Sequence, residues 1–447
     1  MVTESQAGKR SKLQIITDVL INLLLLAIPL GYLSEANGWG SLATFGLFAL
    51  AIIPLAGWTA RCSDTLVERT KPPANVRSGF RFYFGALMGG FGAILDNVSF
   101  IILSGVALSQ GLTQVVQASI AGAIISNTLF VLGLSFFFGT LLGSKQEFDG
   151  KRAKDYAKLL AVIVTAFVLL KFAEVADPAG RKIASSMSVP IAIFLILLFF
   201  VYIFYEFFHW RRFEDKDAPF VQAVNTALRS FGAGYELKPD QANEASIISG
   251  INRALEASSA EYRLNPMGDS SETQERRWPA IVALIAALLG LALALVGTYF
   301  VSTELLQLAT TISSGAYPVT IAGMSLGTIK FSGAFIGLIL IPVIGSAAEH
   351  LNSIHNAIQK KTEAAVNNTA GYAVQITLLA APILVLASAL FFGSNFTFDF
   401  QPIELAIFGA ATFIFYAVTE DGEGTIVEGA ALLVVYAIFA LATLFFT

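Results

Sequence analysis

The chain has 447 residues, of which 55% are hydrophobic and only 13% charged, with a net charge of −4 and a mean hydropathy of +0.69. A soluble protein carries about twice that charged fraction, so a water-soluble fold is excluded, and no nucleic-acid partner is expected. The one cysteine, Cys62, excludes an internal disulfide and a multi-cysteine metal site, and three histidines without an HExxH pattern argue against a zinc hydrolase. The first apolar run, "VLINLLLLAIPLGYL", follows Lys9, Arg10 and Lys12 in the manner of a signal peptide. It is longer than a signal-peptide core and has no small-x-small cleavage site, so an uncleaved span is expected at 14–33. Further spans are expected at 41–60, 79–109, 113–142, 154–173 and 187–208. After a polar stretch they resume at 278–301, 319–358, 367–392, 402–419 and 428–446, which makes eleven. The spans at 79–109 and 319–358 exceed what a bilayer needs. Both contain glycine, and the second also contains proline, so broken or bent helices are expected there.

Lys and Arg placement sets the orientation. With the N-terminus cytoplasmic, the tail and the loops near 61–81, 143–158, 209–277 and 359–366 hold 24 of the 28 basic residues, and the C-terminus lies outside. Without the long loop the balance is still 15 against 4. Within 209–277, Phe220, Val224 and Leu228 share one helical face, as do Ile247, Ile251 and Leu255. Two short amphipathic helices are expected there, and "EDKD" at 214–217 is read as a solvated charge cluster.

The two halves of the chain repeat. "VVQASIAGAIISNTLFVLG" carries Ser126, Thr128, Leu129 and Gly133 at +4, +6, +7 and +11 from Gly122. "AVNNTAGYAVQITLLAAP" carries Gln375, Thr377, Leu378 and Pro382 at the same offsets from Gly371. Phe100 and Glu349 both stand 22 residues before their glycine, so "DNVSF" (96–100) faces "GSAAE" (345–349). Five spans per half is an odd number, so the halves insert with opposite orientation. Inverted repeats with interrupted helices are a transporter architecture, with the site near the midplane. The expected fold is an all-α polytopic membrane protein with one N-terminal span and two inverted five-helix repeats. Its expected divisions are 1–40, 41–208, the cytoplasmic loop 209–277, and 278–447.

At "FIGLILIPVIGSAAEHL" and "GLTQVVQASIAGAIISNTLFVLGLSFF" the sequence resembles the cation/proton exchangers of the Ca2+/cation antiporter superfamily, as a divergent member. "AIIPLAG" at 51–57 and "DGEGTIVEGAALLVVYAIFALA" at 421–442 fit the same resemblance. That family carries a G-N-A-x-E motif in each repeat, and the resemblance implies two central glutamates that hold the cation or protons. Here Glu349 fills the second position and Phe100 stands at the first. The motif asparagine is kept as Asn97 and becomes Ser346 in the second repeat, while Asp96 replaces the family glycine. Asp96 is one helical turn before Phe100, about 6 Å along the axis. A relocated carboxylate and a site with one central acid both remain open.

An acid inside a span is a functional candidate by default, because ionised residues there cost about 2.5–3.5 kcal/mol even on lenient scales. Burial disfavours the ionised carboxylate and a bound cation favours it, so proton and cation displace one another. Glu349 and Asp96 are therefore the candidate cation and proton binders. Asn97, Ser99, Ser126, Asn127, Ser346 and Gln375 are candidate neutral oxygens, with interhelical hydrogen bonding as their structural alternative. Gln117 and His350 are read as packing residues, His350 with tuning of Glu349 as its alternative, and Lys330 is expected at the outer interface. Asp64 and Glu304 form a second repeat-related pair, for which the resemblance implies gating or cation approach. The expected activity is Ca2+/H+ exchange, with Na+ or another monovalent cation as the rival and a transport-deficient ion-sensing scaffold as the third reading. No enzyme activity and no cofactor are expected. The partners are membrane lipids, the transported cations and protons. The membrane expected is the plasma membrane of a prokaryote, and no feature of the pattern sets an oligomeric state.

Overall fold

The computed structural model describes residues 19–70, 78–141, 145–176, 180–214, 280–321, 324–392 and 396–445. The first half forms α1 (Val19–Ala36), α2 (Ser41–Thr70), α3 (Ser78–Asp96), α4 (Val98–Ser109), α5 (Thr113–Leu141), α6 (Gly150–Ala176) and α7 (Gly180–Glu214). The second forms α8 (Ala280–Ser314), α9 (Gly333–Gly345), α10 (Ala347–Ile358), α11 (Thr362–Phe392), α12 (Pro402–Thr419) and α13 (Ile426–Phe445). Among the described residues, nine helices are long and apolar enough to cross a membrane singly. Two bent pairs, α3–α4 and α9–α10, bring the number to eleven. One N-terminal span is thus followed by two sets of five. The amphipathic helices expected around 220–228 and 247–255 lie outside the described residues.

Contacts divide the chain into two compact units. One comprises Pro72–Leu87 and Phe200–Leu284, and its described residues are ends of α3, α7 and α8. The other comprises Met1–Lys71, Met88–Phe199 and Ile285–Thr447, and holds every candidate site residue.

The repeat inferred from spacing is written into the backbone. α3 and α4 meet at Asn97 with a bend of 55°, and α9 and α10 meet at Ser346 with a bend of 63°. Asn97 and Ser346 are 249 residues apart (346 − 97), the separation that also relates Gly122 to Gly371 (371 − 122). Wide π-type turns follow both glycines, at Ser126–Val131 in α5 and Ile376–Ala380 in α11. In α11 the wide turn runs into Pro382, and in α9 a wide turn at Ile336–Leu340 runs into Pro342; neither proline has an N–H for the carbonyl four residues back. In α5, which has no proline, the Ser126 hydroxyl and the Asn127 amide both turn back onto the Ala123 carbonyl, at 3.1 and 2.7 Å.

α5 and α11 are the inner helices, with 83% and 61% of their apolar stretches buried, against 17% for α1 and 22% for α6, α8 and α13. α5 crosses α9 at close range, with the Ala118 methyl of α5 set against Gly337. A Cβ added at Gly122 would stand 2.1 Å from the Leu338 carbonyl oxygen, and one at Gly337 would stand 2.8 Å from that of Val115. The ends of α5 are tied to the second half of the chain. At one end Gln117 donates to the carbonyls of Thr397 (3.0 Å) and Asp399 (3.1 Å), which makes it a packing residue. At the other end the Gly139 carbonyl accepts from Gln146 (2.7 Å) and from the Lys360 ammonium (2.8 Å).

Two small antiparallel sheets decorate the helices. β1 (Gln146–Glu147) pairs with β4 (Glu423–Gly424), and β2 (Tyr317–Ile321) with β3 (Met324–Ile329). The second sheet corrects the span expected at 319–358, whose helix begins only at Gly333. "YPVTI" and "MSLGTI" are apolar and rich in β-branched residues, and hydropathy alone does not separate such a run from a helix. Lys330 follows the hairpin and is exposed.

Candidate functional site

The site is built where the two helix breaks meet. Gly345, the last residue of α9, packs on the first turn of α4, and a Cβ there would contact Leu103 and Phe100 at 3.4 Å. Phe100 is fully buried at this contact. The position where the repeat pattern places a second glutamate is thus an apolar plug between the breaks. The carboxylate of the first repeat is Asp96, the last residue of α3, on the far side of the break. Asp96 and Glu349 lie within electrostatic reach of one another, and Asp96 also within reach of Asp64.

Asn97 is buried and holds the first break closed. Its side-chain amide donates to the Ala93 carbonyl (2.7 Å) and to the Gln375 side-chain oxygen (2.9 Å), leaving its own Oδ1 without a partner. The bond to Gln375 joins the two repeats at their centre, between residues 278 positions apart. Ser346 is fully buried at the second break, and its hydroxyl is unpartnered. Glu349 occupies the first turn of α10, where the helix dipole favours negative charge. Its Oε2 is sealed from solvent and has no hydrogen-bond partner.

Buried polar atoms are almost always hydrogen-bonded, which makes the unpartnered oxygens at the two breaks candidate donors to a ligand. Oxygen donors from carboxylate, amide and hydroxyl suit a hard cation. Among the described residues, no three His, Cys, Asp or Glu side chains come together as a metal centre, which leaves neutral oxygens to complete any shell around the two acids.

The remaining candidates divide. Ser99 is buried in the first turn of α4. Ser126 and Asn127 are buried in the wide turn of α5, with their donors spent on Ala123. Asp64 is exposed on α2, beside the site. Its proposed counterpart Glu304 is half-buried on α8 and lies within electrostatic reach of Glu35 on α1. The unequal spacing of these two acids from Gly122 and Gly371 already separates them. His350 is buried with Nε2 unpartnered, and His355 bonds Gln359 at 2.7 Å.

Two residues were not singled out by sequence. Glu404, buried on α12, accepts from the Gln401 backbone N–H (2.8 Å) as half of a capping box, so this intramembrane acid is structural. Its position three residues after Gln401 is the signal for that cap. Tyr372, buried on α11, faces the Ser346 hydroxyl and lies within electrostatic reach of Glu349 and Asp96. Its Oη makes no aligned hydrogen bond. The signal for Tyr372 was its place beside Gly371 and one helical turn before Gln375.

The sodium/calcium exchanger protein family matches the chain at residues 40–208 and 282–445. The Ca(2+)/H(+) antiporter of Aphanothece halophytica is 27% identical over 424 residues, covering 94% of this chain and 95% of the relative. The Ca(2+)/H(+) antiporter ChaA of Bacillus subtilis (strain 168) is 27% identical over 420 residues, covering 94% and 97%. The solved structure of native YfkE superposes with a TM-score of 0.65 at 24% identity, covering 95% of this chain and 99% of its own, a likeness of fold. With its two matched blocks falling on the two five-span sets around the paired breaks, this integral membrane chain belongs to the sodium/calcium exchanger protein family.

Proposed function

We propose that the protein is a secondary cation/proton antiporter that exchanges Ca2+ for H+ by alternating access, with Glu349 as the central binding group and Asp96 as its partner. The observation that carries this reading is the meeting of two broken helices around Glu349, whose sealed oxygen has no partner of its own. A carboxylate shut away from water cannot keep an uncompensated charge; either a proton or a cation must neutralise it. Competition for one group therefore couples the two fluxes without any covalent step. Relatives named as Ca(2+)/H(+) antiporters over nearly the whole chain support Ca2+ as the cation.

Phe100 favours a second reading. A fully buried phenyl ring at the first central position leaves the site one acid poorer there, which suits a monovalent cation and makes Na+/H+ exchange the rival. In either case Asn97, Ser99, Ser126, Asn127, Ser346 and Gln375 are the neutral oxygens on offer, and Asp64 lies on the approach. The Lys and Arg balance assigns the N-terminus to the cytoplasm and the C-terminus to the outside, and the bacterial relatives support a prokaryotic plasma membrane.

The test is ion flux in inside-out vesicles under an imposed pH gradient, comparing Ca2+, Na+ and K+. Wild type is expected to move Ca2+ against protons, and Glu349→Gln to bring that flux to background. Exchange by Glu349→Gln at the wild-type rate would remove Glu349 from the mechanism.

A further inference from the structure

Tyr372 and Gln375 are three residues apart, on one face of α11, and that face meets both helix breaks. Gln375 accepts from Asn97 at the first break, and Tyr372 faces Ser346 at the second. The two contacts differ in kind. Gln375 is bonded, whereas the Tyr372 hydroxyl is buried beside the Ser346 hydroxyl without an aligned hydrogen bond, although a buried phenol ordinarily finds one. Ser346 Oγ and Glu349 Oε2 share that condition. Tyr372 has no counterpart in the first repeat, where Ala123 follows Gly122. The phenol therefore brings an oxygen to the centre from one side only, in a site where Phe100 contributes none.

On the reading of the site as a cation/proton exchanger, we propose that Tyr372 is a direct ligand of the transported cation: its phenol oxygen completes the shell begun by the Glu349 carboxylate and Ser346 hydroxyl, and sets which cation is preferred. A phenol adds a lone pair without adding charge. It therefore strengthens cation binding while leaving the number of exchangeable protons as the carboxylates fix it. Hard cations accept such neutral oxygens alongside carboxylates, Ca2+ gathering about six to eight in all.

The test compares wild type, Tyr372→Phe and Glu349→Gln in proteoliposomes with an imposed pH gradient. Tyr372→Phe keeps the ring and removes one oxygen. For whichever of Ca2+ and Na+ wild type transports, its KM is expected to rise about tenfold, with an altered preference between the two and a maximal rate close to wild type. The same variant, purified in detergent, is expected to melt where wild type does without cation and to lose most of the cation-induced rise in Tm. An unchanged KM and ion preference, with Glu349→Gln silent, would overturn the role of Tyr372 and leave the exchange reading standing. A Tyr372→Phe protein that fails to fold would also overturn it, because the hydroxyl would then be a structural bond. Wild-type exchange by Glu349→Gln, or none by wild type itself, would remove the site on which the proposal rests.

Discussion

The two helix breaks share a backbone and differ in chemistry. At the first, the Asn97 amide is engaged twice, by Ala93 and Gln375, and Phe100 seals the next turn. At the second, Ser346 Oγ, Glu349 Oε2 and the facing Tyr372 Oη are all buried and all unpartnered. The first interruption is fastened across the repeats by the Asn97 amide and leaves one oxygen unspent, Asn97 Oδ1, whereas the second leaves three. Glu404 makes a related point within one half: it is a buried acid, and its cap bond to Gln401 accounts for it, whereas Glu349 Oε2 is sealed with no such bond. Burial of a carboxylate is therefore not by itself a reason to propose it as a transport site; the unpartnered Glu349 Oε2 is the feature on which that proposal turns.

Substitutions at matched positions would test that division. The largest effect expected after Glu349→Gln is at Asp96, where Asp96→Asn should raise the cation KM about ten- to a hundredfold while exchange persists, since a charge-assisted contact contributes about 1.5–3 kcal/mol. If flux in proteoliposomes falls to background as in Glu349→Gln, the two halves are equal partners and the contrast fails. A smaller effect separates the hinge residues themselves. Asn97→Ala strands the Gln375 oxygen and should cost about 1–3 kcal/mol of stability, read as a lower melting temperature in detergent. Ser346→Ala removes a hydroxyl that makes no aligned hydrogen bond, and should leave the melting temperature of the cation-free protein close to that of wild type, since it strands no bonded partner. A reversed order of these two would show that the second break is the fastened one.

Much of this architecture was legible in the chain itself. The breaks were readable because glycine and proline sat inside spans too long for a bilayer, and the repeat register because Gly122 and Gly371 carry the same polar offsets. The β2–β3 hairpin was not readable, since hydropathy registers how apolar a segment is and not how it is hydrogen-bonded. Tyr372 was missed for a related reason. An aromatic residue in an apolar helix reads as packing, and only the fold shows that its hydroxyl end meets Ser346 and its ring end is buried. The Asn97–Gln375 bond links residues 278 apart, a contact that residue types could suggest and local pattern could not fix.

The crossing of α5 and α9 bears on how the two halves could move. Because Gly122 lies directly on the Leu338 backbone and Gly337 meets only the Ala118 methyl and the Val115 carbonyl, no rotamer at the crossing would have to change if one helix turned against the other. Interlocked side chains elsewhere in a packed interior resist such turning. A methyl group on either glycine would collide with the facing helix, so alanine at Gly122 or Gly337 is expected to push α5 and α9 apart.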